Sequence, residues 1–186
     1  EYIEHQTQNI LISIGNNNIV IDKLIISEII GNDLGLNSSF FLIDKNKIIH
    51  IKYFKSDELG VDFVKYEKFQ INKKGKFIRY YEKNGNYKNS EEKGFVKNNK
   101  REGKWIEMKY NSNLEKLDKE KQETDYYSYM EANYNNGLQN GETKFFKLIQ
   151  KYDGNGEPIL SSRKKGKLIY IETYKYGELI DVKFVK

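Results

Sequence analysis

Gly94-Phe95-Val96-Lys97-Asn98-Asn99-Lys100-Arg101-Glu102-Gly103-Lys104-Trp105-Ile106 is the stretch that decides the fold. It closes on a tetrad, Gly103-Lys104-Trp105-Ile106. The same pattern recurs as Gly75-Lys76-Phe77-Ile78 and Gly166-Lys167-Leu168-Ile169. A degenerate copy, Gly141-Glu142-Thr143-Lys144, runs into Phe145-Phe146. The glycine implies a tight turn, where positive φ or close backbone approach is needed. The residues after it start a strand, with alternate side chains on opposite faces. Lys104 and Ile106 then share one face and Trp105 takes the other. An aromatic residue and a turn follow each copy, as in Tyr81-Glu82-Lys83-Asn84-Gly85 and Tyr174-Lys175-Tyr176-Gly177. One hairpin cannot bury its face in water. Stacked hairpins can, so the repeats require one another.

The repeat pattern occupies residues 65–186 and predicts antiparallel hairpins in sequential order, with Trp105 buried. Residues 114–125 interrupt it with a highly charged segment, read as a loop or a short solvated helix. Residues 1–64 form a separate β-rich segment. Ile10–Ile14 and Ile19–Ile21 read as strands around Gly15-Asn16-Asn17-Asn18, which is turn chemistry. Phe40–Ile43 and Ile48–Ile51 flank Asp44-Lys45-Asn46-Lys47 as a second hairpin. Residues 22–30 stay open between a strand and one short helix, because Leu24, Ile25, Ile29 and Ile30 suit either.

The pattern resembles MORN-type repeats, in the bacterial variant known as YwqK-family antitoxin components. Residues 81–105 match it best, and Tyr134-Asn135-Asn136-Gly137-Leu138-Gln139-Asn140-Gly141 is a second copy. The charged interruption and Thr143, where an aromatic is expected, depart from it. The resemblance implies a mostly-β fold: an elongated antiparallel sheet of consecutive β-hairpin repeats. It implies a binding or scaffolding role without catalysis, and a toxin-like protein as partner.

Composition bounds the chemistry. The 186 residues contain no cysteine, which excludes disulfides, thiolate nucleophiles and cysteine-ligated zinc. The two histidines, His5 and His50, lie in different segments, and His50 reads as a strand residue. No serine has a nucleophile-elbow context. Asp153-Gly154-Asn155-Gly156-Glu157 begins like a calcium loop, but its twelfth position is Lys164 rather than glutamate, so it reads as a turn. Gly103-Lys104-Trp105 lacks the rest of a phosphate loop. No cofactor or metal is expected, and the chain reads as a non-enzyme. Paired carboxylates leave a carbohydrate hydrolase on a β scaffold as the enzymatic alternative.

Two surfaces are candidates. Tyr80, Tyr81, Trp105 and Tyr110 are the aromatic partner-binding candidates, since Tyr and Trp are favoured at hot spots. Lys73, Lys74 and Lys76, with Lys164, Lys165 and Lys167, are the anion-contacting candidates, because both clusters fall at tetrad turns. Aligned turns would make a basic strip for a membrane surface or polyanion. The plainer role of such lysines is to protect an exposed sheet edge. The net charge of +5 has an equally plain source, since Lys, Asn and Ile share AT-rich codons. A protein partner is therefore preferred to anionic lipid or polymer, and nucleic acid is not expected. The chain begins at Glu1 rather than methionine, which favours an exported protein, periplasmic or on the cell surface, over a cytoplasmic one.

Overall fold

A computed structural model describes residues 5–32, 35–111, 127–156 and 158–185. All regular elements among the described residues are strands, and all their pairings are antiparallel. The chain divides after Tyr81 into two compact units. The charged segment at 114–125 lies outside the described residues.

The first unit is a six-stranded meander: β1 (His5–Ile14), β2 (Val20–Asn32), β3 (Gly35–Ile43), β4 (Ile49–Asp57), β5 (Gly60–Ile71) and β6 (Phe77–Arg79), paired in that order. The repeat region read from sequence begins inside β5, and its first tetrad glycine, Gly75, belongs to this unit. Three of its turns share one construction. In Gly15–Ile19, Asp44–Ile48 and Asn72–Lys76 the first residue's N–H donates to the fifth residue's carbonyl, at 2.9, 3.0 and 2.9 Å. The fourth residue, Asn18, Lys47 or Gly75, takes positive φ of 57°, 61° or 78°. This is the three-residue hairpin loop closed by a left-handed residue. Asp44 and Asn72 stabilise their turns further, each accepting two backbone N–H groups on its Oδ1.

Residues 22–30 lie on β2. Alternation sends Leu24 and Ile26 inward and Ile25 and Ile29 outward. The inner face packs Ile26, Ile49 and Ile51 against Leu11, Leu24, Tyr53, Phe69 and Phe77. Fully burying an isoleucine contributes about 1.5–3 kcal/mol, so Ile49 and Ile51 anchor this unit. The sheet curls until β6 meets β2. There Phe77 N–H donates to the Asp22 carboxylate at 2.8 Å, and Lys76 Nζ to the Ile21 carbonyl at 3.0 Å.

The second unit contains β7 (Gly85–Lys88), β8 (Glu92–Lys97), β9 (Lys100–Tyr110), β10 (Tyr127–Asn135), β11 (Leu138–Gln139), β12 (Gly141–Tyr152), β13 (Pro158–Lys175) and β14 (Glu178–Phe184). The ladder runs in sequential order, with the short β11 pairing β10 at its side. Its tight turns put two consecutive residues at positive φ: Asn98-Asn99, Asn136-Gly137 and Tyr176-Gly177. Those are the two-residue loops that match strand twist.

The tetrad glycines do not all make turns. Gly75 does. Gly103 and Gly141 come after the Asn98-Asn99 and Asn136-Gly137 turns, at φ of 67° and 89°. At Gly103 the ladder slips from Phe95↔Glu102 to Lys93↔Ile106, so this glycine is a bulge inside β9. Gly166 lies mid-strand in β13, where an added Cβ would sit 2.8 Å from the Lys147 carbonyl. The tetrad marks places where backbone must bend or approach closely, and only sometimes a turn.

Trp105 is fully buried on the inner face of this sheet. It lies between Tyr87, stacked at 5.8 Å, and the edge of Tyr134 at 6.2 Å. Its indole N–H donates to the Phe95 carbonyl at 3.1 Å. Further along the same face, Met130, Ala132, Phe145 and Tyr170 form the core. Phe145 and Tyr170 stack at 4.3 Å, and Asn111 donates to the Tyr170 hydroxyl at 2.8 Å.

Candidate functional site

The outer face of the first sheet is where large apolar groups meet solvent. Register assigns its members. Phe40 pairs with Lys52, Leu42 with His50, Phe54 with Phe63, and Ile10 with Ile25. Phe40, Phe54 and Phe63 form a train of rings, edge to face at 5.9 Å in each step. Phe40 is 58% exposed, Leu42 65% and Phe63 60%. Ile10, Ile12, Ile25 and Ile29 extend the surface across β1 and β2. Contiguous apolar patches of this kind mark interaction sites on soluble proteins.

Apart from Asp44 at the β3–β4 turn, the charges on this face have one sign. Lys23 pairs with Ile12, Lys52 with Phe40 and Tyr66, and Lys68 with His50. Among the described residues, no Asp or Glu occupies a paired outward position of β1–β6. The acidic groups Glu28, Asp62 and Glu67 pair on the inner side, with Ser39, Lys55 and Ile51.

His50 is built into the same face. Its Nε2 lies 3.2 Å from Asp44 Oδ2, and its Nδ1 meets the Tyr66 hydroxyl. With Nε2–H donating to the carboxylate, Nδ1 accepts from the phenol. The His50 and Tyr66 rings stack at 5.9 Å, and Lys68 Nζ sits 5.2 Å over the Tyr66 ring. The Asp44 carboxyl is held below its ordinary range, first by the Ile48 N–H and then by His50, against the opposing pull of burial. Both ring nitrogens are occupied inside the cluster. The arrangement fixes the β3–β4 turn onto β5; it does not aim a free base at solvent.

The sequence-derived candidates fall elsewhere. Trp105 and Tyr81 are interior, at 0% and 6% exposure, and serve packing rather than contact. Tyr80 and Tyr81 follow β6 and lie outside any strand, with Tyr80 half-buried and its N–H on the Lys68 carbonyl at 2.8 Å. Tyr110 is 49% exposed and meets Tyr127 edge-on at 6.0 Å. Lys73 and Lys74 are exposed on the Asn72–Lys76 turn, but Lys76 is engaged in closing the first sheet. Lys164, Lys165 and Lys167 lie inside β13, not at a turn. Lys164 pairs with Ile149 and Lys165 with Leu148, so the two point to opposite faces. Lys165 bridges to Glu131 at 2.9 Å and covers Phe146 at 4.7 Å. The two clusters belong to different sheets, and Gly166 sits mid-strand beside the Lys147 carbonyl rather than at a turn.

No family model, curated protein or solved structure matches the chain.

The outer face went unnamed at the sequence level, although a signal was there. Phe40-Phe41-Leu42-Ile43 is continuously apolar. In a strand, such a run puts hydrophobic groups on both faces. Phe41 and Ile43 pair with Ile51 and Ile49 on the inner side, which leaves Phe40 and Leu42 outside.

Proposed function

We propose that the chain is a non-catalytic interaction module that binds a protein partner through the outer face of its first sheet. The observation that carries this reading is the Phe40–Phe54–Phe63 ring train, exposed at Phe40 and Phe63 and flanked by Leu42 and by lysines, with Asp44 at the β3–β4 turn, held by His50, as its one carboxylate among the described residues. Aromatic centres with a polar rim are the anatomy of protein interfaces. The complementary surface would be apolar at its centre and acidic at its rim. The MORN-like hairpin pattern agrees with such a role, and an antitoxin-like neutraliser is the specific form that the resemblance suggests.

Anionic lipid is the weaker reading. Leu59, at the tip of the β4–β5 hairpin, is 96% exposed and has the character of a membrane anchor. Yet Asp57 and Glu58 share its turn and Asp62 follows closely, so an approaching anionic surface would meet three carboxylates. Protein contact tolerates such a rim better than a charged bilayer does.

The test starts from photo-crosslinking at position 63 in extract of the native source, with position 175 as control. A protein captured only from position 63 is then purified and its affinity measured. Phe40→Ala with Phe63→Ala is expected to weaken binding about tenfold or more, worth at least about 1.4 kcal/mol. Folding stability should change by less than about 1 kcal/mol, since both rings are already largely solvated. Two outcomes would sink the proposal. One is co-sedimentation with anionic vesicles that the double substitution abolishes. The other is concentration-dependent self-association through the same rings, which would make a second copy the occupant.

A further inference from the structure

The second unit contains a separate cleft of about 290 Å³ between the β7–β8 hairpin, β9 and the first half of β13. Its volume falls just below the roughly 300–1,000 Å³ typical of small-molecule sites, which suits a small ligand. Ile106, Met108 and Leu160 supply apolar lining, and Lys88, Lys93 and Arg163 supply charge.

We propose that this cleft binds a small organic oxyanion, a carboxylate or phosphate head on a short apolar body. Three features converge on that chemistry. Lys88 and Lys93 are directly opposed cross-strand partners in the last pair of β7 and β8. Like charges in that position destabilise a hairpin, so the pair is costly unless an anion joins it. Arg163 is already oriented. Its Nε donates to Gln150 Oε1 at 3.1 Å and its Nη1 to the Ser90 carbonyl at 3.4 Å. A guanidinium fixed in this way offers its remaining donors to an oxyanion with little further ordering.

The third feature is the charge balance. Among the described residues, no carboxylate lies within ion-pair distance of Lys88, Lys93 or Arg163. Glu92 borders the cleft, but its carboxylate is engaged by Arg101 on the other face of the sheet. The lysines point the opposite way, because Lys93 neighbours Glu92 along a strand. The apolar lining sets the rest of the ligand. Ile106 pairs with Lys93 and Met108 with Tyr129, so both side chains lie on the lysine face. Methionine adapts its shape to a bound apolar group.

Titration with hexyl phosphate, hexanoate, inorganic phosphate and hexanol, followed by backbone amide shifts, tests this. Hexyl phosphate or hexanoate should shift the amides of Lys88, Lys93, Met108 and Leu160, and their relative affinity assigns the head group. Inorganic phosphate should bind about tenfold more weakly than hexyl phosphate, because it lacks the apolar body. Hexanol should leave the cleft unshifted. Lys88→Gln with Lys93→Gln should weaken hexyl phosphate about tenfold or more and flatten its salt dependence. The same variant should fold at least as stably as the parent, since it removes a like-charge pair. Arg163→Lys should retain part of the affinity that Arg163→Gln loses. Hexanol binding as well as hexyl phosphate would overturn the proposal. So would hexyl phosphate binding undiminished by the double lysine substitution, or shifts confined to the first unit.

Discussion

Arg101→Leu is expected to destabilise the second unit by about 3–5 kcal/mol, as measured by denaturant unfolding. Arg101 is 6% exposed and serves two buried carboxylates at once, Glu92 and Glu107. Its guanidinium also lies 4.6 Å over the Trp105 ring and 4.9 Å over Tyr134, and its Nη1 donates to the Tyr134 hydroxyl at 2.7 Å. Leucine preserves the packing volume but removes the guanidinium that both buried carboxylates share. Breaking one side of a buried ion network is the costly change; replacing the whole network with apolar groups need not be.

The pH dependence makes this prediction specific. Burial pushes the Glu107 carboxyl up, but Arg101, Lys109 and the hydrogen bonds from Tyr134 and Arg101 together hold it below its ordinary value. Tyr134 is shifted up, first by burial, so its phenol stays protonated and donates to Glu107 Oε1 at 2.7 Å. A depressed carboxyl contributes stability that is present above its unfolded pKa, here 4.5, and lost as the pH falls through the folded value. The parent should therefore lose stability as the pH falls below about 4.5. In Arg101→Leu the burial effect prevails and the folded pKa rises. That variant should instead gain stability as acid neutralises the carboxyl. Parallel pH profiles for the two proteins would show that Arg101 does not hold this network.

The hairpin architecture was legible because its local signals were redundant. Gly15-Asn16-Asn17-Asn18 and Asp44-Lys45-Asn46-Lys47 each carry residues that accept positive φ, and each became a turn. Asp153-Gly154-Asn155-Gly156 is also a turn, closed by the Gly156 N–H on the Asp153 carbonyl at 3.2 Å. The tetrad was less transparent. Glycine reports that backbone must bend or that something approaches closely, and a sequence does not say which. Gly75 closes a turn, Gly103 makes a bulge, and Gly166 admits a neighbouring carbonyl.

The surfaces were harder to read, for a physical reason. Period-two alternation gives two faces but does not label them. Tyr80 and Tyr81 were adjacent aromatics whose assignment needed a strand that ends at Arg79. Lys164 and Lys165 looked like a cluster in sequence, yet alternation within β13 separates them. The cleft joins the β7–β8 hairpin to Arg163 across a long sequence separation, which no local pattern encodes. The Arg101 network was equally hidden. Arg101, Glu102 and Lys104 look alike as solvated charges, and although alternation puts Arg101 on the face of Trp105, it does not label that face as the inner one.

Trp105→Ala should cost about 3–5 kcal/mol, because it removes a fully buried indole from between Tyr87 and Tyr134. The partner substitution tests whether this packing or some other loss is responsible. Gly94 lies directly under the ring, and a Cβ there would fall 2.3 Å from Trp105 Cδ2 and 2.4 Å from Cε2. Gly94 has no positive φ to preserve, so Gly94→Ala is unfavourable only through that collision. The ring cannot withdraw freely, since its N–H is held by the Phe95 carbonyl and Arg101 covers it. Gly94→Ala should therefore destabilise by about 1–3 kcal/mol, the usual range for overpacking. In the Trp105→Ala background the same substitution meets empty space. Its cost there should fall to near zero, and a methyl group in the cavity could even recover some stability. The two effects must then be strongly non-additive, with a coupling of at least about 1 kcal/mol in a double-mutant cycle. Chemical denaturation of the four proteins measures it directly. Additive losses would mean that Gly94 matters for its backbone alone, and that the close approach of ring to strand does not define this part of the core.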